Sequence, residues 1–365
     1  MRSVFAHDKF VVIREGAAAP EVSFLMPLYQ QARFVGEAVR SVLRQVEVTA
    51  ELLLSDDAST DGTLERALET VAATPTPHRV VVRRGSRRLW RDHLSLLVDH
   101  ASHDIVIQAH GDDVAEPRRG RIVTEVMRET GALLLGSTAA TIDERGAIIA
   151  PPATDHQAVR LMKVEDVLRY PTELTGARLA WRREALGVFG CLDSRAAAVC
   201  HDRVLPFRAA LAGAVVVVNT PLLQRREHPN RASTALVDRR RREAEAFGIA
   251  LQRLSMLRGL RGDLAHACAL GMVSGDGRVQ IGTLLDAQEQ HWTAQLLDNH
   301  DALARAGRVP LWVDDHELRL AWRGELSAWL RYQTNRWPRL KRMLAAVREV
   351  GTRARRLKSS GEARW

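Results

Sequence analysis

Through the first third of the chain, short apolar runs alternate with amphipathic stretches. EVSFLMP at 21–27, ELLLS at 51–55, RVVVR at 79–83 and DIVIQA at 104–109 are apolar runs of strand length. Between them lie stretches with helical spacing. At 32–45, Phe34, Val35, Ala38, Val39, Val42 and Leu43 fall on one face, and similar stretches occupy 61–73 and 89–101. Strands separated by helices of this length predict βαβ units, hence an α/β domain with a mostly parallel sheet covered on both faces. Ligands bind such sheets at the carboxyl ends of the strands.

The spacing then changes. Residues 132–149 predict a strand followed by a hairpin across Asp143–Gly146. A short helix at 164–169, a β-type run at 177–182, a helix at 202–211 and a buried strand at 215–218 come next. From about residue 235 the pattern is helical throughout, at 236–261, 263–272, 281–305, 315–331 and 338–356. The chain is therefore expected to divide into an α/β domain at 20–235 and a helical C-terminal region at 236–365.

Polar clusters stand where the strands should end. Pro27-Leu28-Tyr29-Gln30 follows the first strand, and Ser55-Asp56-Asp57-Ala58-Ser59-Thr60-Asp61-Gly62-Thr63 follows the second. Asp61 reads as a helix N-cap. Asp56 and Asp57 suit the N–H or hydroxyl donors of a ligand, and equally suit a turn. Arg83 and Arg84 end the third strand, where they would touch a base or phosphates or simply be solvated. His110-Gly111-Asp112-Asp113 follows the fourth strand. Paired carboxylates there provide the oxygen ligands that Mg2+ or Mn2+ takes alongside phosphate oxygens, although a solvated acidic turn has the same composition. Cys200-His201-Asp202-Arg203 opens a helix, so Asp202 is at least a candidate cap or dipole partner.

Taken in order, these clusters resemble the motifs of the glycosyltransferase family 2 catalytic domain, which has the GT-A fold. Pro27, Tyr29 and Gln30 match the turn after its first strand, and SDDASTDGT at 55–63 matches its second-strand loop. His110-Gly111-Asp112-Asp113-Val114-Ala115-Glu116-Pro117 stands at its DxD-type motif. His201-Asp202-Arg203-Val204-Leu205-Pro206-Phe207-Arg208 stands at its base motif, and Arg226-Glu227-His228 at its closing Arg-x-His segment. The likeness covers about residues 20–232. His110 and His201 depart from it, replacing the usual Asp of the DxD and the Glu beside the base.

The resemblance implies a Rossmann-like nucleotide-diphospho-sugar transferase domain that moves a sugar from a nucleotide diphosphate donor to an acceptor hydroxyl with inversion. Asp202 would be the general base. Pro27, Tyr29, Asp56, Asp57, Arg83 and Asp113 would contact the donor nucleotide. Asp112 and His228 would hold Mn2+ or Mg2+. A carbohydrate or lipid-linked acceptor, as in cell-envelope polysaccharide or glycolipid synthesis, follows from the same likeness. Two other readings share the strand-end logic. One is a non-catalytic module of the same fold whose basic tail binds a polyanion. The other is a nucleotidyltransferase, although the Gly-rich basic loop expected after the first strand is missing. No GxxxxGK[ST], HExxH, GxSxG or GxGxxG motif is present.

Charge changes the picture only at one end. Of 53 Lys and Arg and 44 Asp and Glu, eleven basic residues and two Glu fall at 331–365, leaving 1–330 neutral. A body built to grip nucleic acid is therefore not expected; a basic appendage is. Six of the 8 Trp also lie beyond residue 290. They would either pack the C-terminal helices or, with the basic residues of 331–358, sit on an anionic membrane surface. No run approaches the length of a membrane span. With 3 Cys, no CxxC and no apolar leader, a cytoplasmic protein, peripheral to the inner face of the membrane, is expected.

Overall fold

The computed structural model describes residues 8–89, 93–152, 158–190, 201–229 and 239–305. The chain divides into two compact units, Met1–Ala302 and Leu303–Trp365, and the architecture below is that of the first. Its strands are β1 (Phe10–Arg14), β2 (Val22–Leu28), β3 (Ala50–Asp56), β4 (Arg79–Arg84), β5 (Ile105–Gln108), β6 (Val114–Ala115), β7 (Leu134–Ile142), β8 (Ile148–Ala150), β9 (Val159–Met162), β10 (Ala180–Arg182) and β11 (Val215–Arg226). Its helices are α1 (Val35–Leu43), α2 (Thr63–Ala73), α3 (His93–His100), α4 (Arg119–Thr130), α5 (Val164–Val167), α6 (Glu184–Gly187), α7 (His201–Ala212), α8 (Arg239–Ala269) and α9 (Gly275–Arg305).

One sheet runs in the order β1-β4-β3-β2-β5-β10-β7-β11-β6, with β8 on β7 and β9 on β11. Its long strands β2, β3, β4, β5, β7 and β11 point the same way. β4-β3-β2-β5 and β7-β11 are parallel neighbours, and the antiparallel β10 links β5 to β7. Side chains alternate across the pleat into two cores. Phe24, Met26, Leu52, Leu54, Val80 and Val82 face α1, α2 and α4. Leu25, Leu53, Val81, Val106 and Trp181 face α3, α7 and the inner sides of α8 and α9. Helix α1 forms because Val35, Ala38, Val39, Val42 and Leu43 share one stripe, and all five are buried.

Several elements depart from the apolar pattern. Helix α4 has no counterpart in the expectations above, because the face it buries includes Arg119, Gly120 and Thr124 beside Val123 and Met127. Strands β1 and β9 are also additional. Both lie at the margins of the sheet, and only Met162 among their residues is fully buried. The two helices expected at 236–261 and 263–272 are one helix, α8, running through Gly262. A helical glycine costs about 1 kcal/mol. Buried Leu260 and Leu264 flank it, and the buried Asp263 takes two hydrogen bonds from Arg208 on α7, at 2.9 and 3.1 Å. Truncation of one member of a buried pair strands the other's charge. Arg208→Met is therefore expected to lower stability by about 3–5 kcal/mol, read as a shift of the denaturant midpoint. A shift below 1 kcal/mol would show that Asp263 finds water or another partner.

The helices expected at 315–331 and 338–356 lie outside the described residues. Among the described residues no helix is long and apolar enough to cross a membrane.

Candidate active site

The polar clusters gather at the carboxyl edge of the parallel strands. Pro27 and Leu28 end β2, and Leu28 stands in register with Asp56 at the end of β3. Asp57 N–H donates to the Leu28 carbonyl at 2.9 Å, which joins the two loops. Gln30, with φ of +52°, donates its N–H to Ser59 Oγ at 3.0 Å, while its side chain donates to Thr60 Oγ1 and accepts the Thr60 N–H. Asp61 is not the N-cap of α2, which is Gly62; it stands one residue before the cap and accepts the N–H groups of Thr63 and Ala32. Local Asx and cap chemistry thus shapes the shelf on which Asp56 and Asp57 stand.

Asp56 is buried, and Ser59 N–H reaches its Oδ2 at 2.9 Å. Its Oδ1 is buried with no hydrogen-bond partner. Burial raises its pKa above the ordinary carboxylate value, and the Ser59 hydrogen bonds oppose that shift. An acceptor left unsatisfied at a strand end suits an N–H donor brought by a ligand. Asp57 accepts the Leu89 N–H at 2.6 Å, so it also holds the loop after β4. Tyr29 is 37% exposed, and the Arg88 guanidinium lies over its ring at 3.9 Å.

Arg83 is not brought to this edge as a free cation. It is buried, donating to Asp8 at 2.6 Å and to Ser55 Oγ at 3.2 Å. His93 Nε2 meets the same Ser55 Oγ at 2.7 Å. Burial, with Arg83 nearby, lowers the His93 pKa to about 4, although the Asp57 charge works the other way. The unfolded chain then takes up the proton first. This contribution to stability is complete above about pH 6.5 and is lost as pH falls from there towards 4, by roughly 3 kcal/mol in full. His78, lowered by burial, acts in the same sense. Denaturant melts at pH 7 and pH 4.5 should show the loss, and His93→Gln should reduce it. An equal loss in that variant would place the effect elsewhere.

The acidic loop after β5 lies next to this shelf. His110, Asp112 and Asp113 each offer a ligand atom within 4.8 Å of the others. His110 Nδ1 is 3.6 Å from Asp113 Oδ2, and His228 Nε2 is 3.1 Å from Asp112 Oδ2. Gly111 sits in a close fit with two side chains. A Cβ there would fall 2.5 Å from Gln31 Oε1 and 2.6 Å from Leu28 Cδ2. Arg226, at the end of β11, closes the loop from outside. Its N–H donates to Asp113 at 2.9 Å and its guanidinium to the carbonyls of Asp112 and Asp143 and to Glu37. Arg119, wholly buried, has its pKa lowered to about 9 by burial, while Asp113 opposes that fall.

Asp202 lies in the first turn of α7, beside His201. Burial lowers the His201 pKa, and Asp202 opposes this. The two halves of the site meet through Gln108, whose amide nitrogen is 3.0 Å from His110 Nε2 and 3.2 Å from His201 Nε2. Sequence reasoning had passed over Gln108, Arg119 and Glu37. For Gln108 a signal existed, since a carboxamide in an apolar strand is buried and needs partners.

Residues 23–178 match the family described as Glycosyl transferase family 2. "Putative glycosyltransferase EpsE" of Bacillus subtilis (strain 168) is 33% identical over 138 residues, which are 37% of this chain and 49% of EpsE. The chain thus spans about half the length of that curated relative. Among solved structures, S. aureus TarS 1-349 in complex with UDP-GlcNAc is 14% identical, with a TM-score of 0.49, over 81% of this chain and 95% of that one. Mannosyltransferase PcManGT from Pyrobaculum calidifontis, in complex with GDP-Man and Mn2+, is 17% identical, with a TM-score of 0.48, over 87% and 83%.

Proposed function

We propose that this chain, whose residues 23–178 form a family 2 glycosyltransferase domain of the GT-A type, transfers a sugar from a nucleotide diphosphate donor to an acceptor hydroxyl with inversion. One observation carries the reading: His110 of the acidic loop after β5 and His201 in the first turn of α7 both meet Gln108. That shared residue supports reading the acidic loop as the site of a diphosphate and its cation, and Asp202, next to His201, as the carboxylate that takes a proton.

In this reading Asp56 accepts an N–H of the nucleotide base, with Pro27, Tyr29 and Asp57 shaping the shelf beneath it. Arg83 acts there by holding Ser55. Asp112 and Asp113 fit Mn2+ or Mg2+, because two buried carboxylates offer hard oxygen donors at ligand spacing. A bound cation would offset the charge that grows on the departing diphosphate. His228 orients Asp112. Asp202 takes the proton of the acceptor hydroxyl as the new C–O bond forms, and the nucleoside diphosphate leaves from the opposite face of the sugar.

The chemistry belongs to 20–235, and 236–365 serves support and anchoring. A carbohydrate or lipid-linked acceptor, reached from the cytoplasmic side of a membrane, suits the basic segment at 331–358, which lies outside the described residues. The test is a panel of UDP and GDP sugars with Mn2+, read as nucleoside diphosphate released with and without EDTA. Release of pyrophosphate would favour the nucleotidyltransferase reading. Binding without turnover across the panel and a set of acceptors would favour the non-catalytic module. Flotation with anionic vesicles tests the membrane contact separately.

A further inference from the structure

Gln108 closes β5 with its side chain buried and its amide nitrogen facing two imidazoles, His110 and His201, each through Nε2. The backbone around it is fixed. Its N–H donates to the Leu179 carbonyl at 3.0 Å, and its own carbonyl accepts from Arg119 at 3.0 Å. An amide nitrogen donates and does not accept, so each Nε2 must offer its lone pair. A neutral imidazole whose Nε2 accepts carries its proton on Nδ1.

The surroundings favour this arrangement. His110 turns Nδ1 towards Asp113 Oδ2, where an N–H is the better partner for a carboxylate. Gln108 Oε1 is buried with no hydrogen-bond partner. Reversing the amide would put oxygen between the rings and two N–H donors in that unpartnered place, exchanging one unsatisfied acceptor for two unsatisfied donors. One side of the His110 ring is closely packed, since a Cβ on Gly176 would lie 3.3 Å from His110 Cε1.

We propose that Gln108 is a positioning residue that locks His110 and His201 in one shared tautomer, with the proton on Nδ1. Two consequences follow, the first of which rests on the reading of Asp112 and Asp113 as the cation site. His110 meets the acidic pair as an N–H donor, so the donor set stays all-oxygen and suits Mn2+ or Mg2+ better than a metal that prefers imidazole. The second concerns the base. With Nε2 held by the amide and Nδ1 protonated, His201 has no free lone pair, and the acceptor's proton is left to Asp202.

The test uses the full chain labelled with 15N in histidine. Long-range 1H–15N spectra separate protonated from bare ring nitrogens, and His110→Asn and His201→Asn spectra assign the two rings. Both should show protonated Nδ1 and bare Nε2, before and after saturation with Mg2+. Gln108→Leu should lose that pattern in both rings, and Gln108→Glu, which only accepts, should move the proton to Nε2 in both. A protonated Nε2 in either wild-type ring would overturn the proposal, as would an unchanged pattern in a folded Gln108→Leu protein. If neither variant folds, the wild-type spectrum decides. Calorimetry with Mg2+ keeps the two readings apart. Absence of Mg2+ binding with both rings protonated at Nδ1 would remove the cation site and leave the tautomer lock standing.

Discussion

Replacing Asp202 with Asn is expected to lower sugar transfer by about two to four orders of magnitude, with donor affinity nearly unchanged. The carboxylate sits in the first turn of the twelve-residue helix α7, beside His201. An ionised carboxylate can take a proton as the C–O bond forms, while its amide, of the same size, cannot. The effect should therefore fall on the chemical step and spare binding. A helix cap behaves differently. Its loss costs about 1 kcal/mol of stability and leaves turnover of the folded fraction alone. Single-turnover transfer at saturating donor, with melts of both proteins, separates the two. Near-normal transfer by the variant would remove Asp202 from the mechanism.

Asp112→Asn is expected to abolish the part of nucleotide diphosphate binding that depends on a divalent cation. Asp112 is buried and one of its oxygens is 3.1 Å from His228 Nε2. The amide keeps the volume and can still hydrogen-bond to the imidazole, so the fold should survive. It lacks the charge that a hard cation requires. Calorimetry of UDP and GDP with and without Mn2+ reads the difference. An unchanged metal-dependent affinity would leave Asp112 with a turn role only.

The central strands and their helices were legible because β2 to β5 bury both faces, so their sequences are near-continuous apolar runs ending in abrupt polar clusters. Those same breaks marked Asp56, Asp57, Asp112 and Asp113. Helix α4 was not legible, because Arg119 and Gly120 on its buried face are stabilised by contacts with distant backbone and side chains. The same holds for the ties that assemble the site. Gln108 meets His201 across 93 residues, and Arg226 meets Glu37 across 189. Such pairings leave no periodicity. The burial of Arg83 likewise depends on Asp8, 75 positions earlier in the chain.

The position of Arg226 also bears on how the protein is made. Asp113 accepts its N–H from a residue 113 positions further along the chain. A ribosome adding about 5–20 residues per second takes roughly 6–23 s to supply it. The edge of β5 waits as well, because its neighbour β10 begins only at Ala180. For those seconds the nascent chain carries a bare acidic loop beside an open apolar strand. Quality-control factors are expected to engage it then, and slower synthesis between residues 113 and 226 should lengthen that exposure and lower the yield of folded protein.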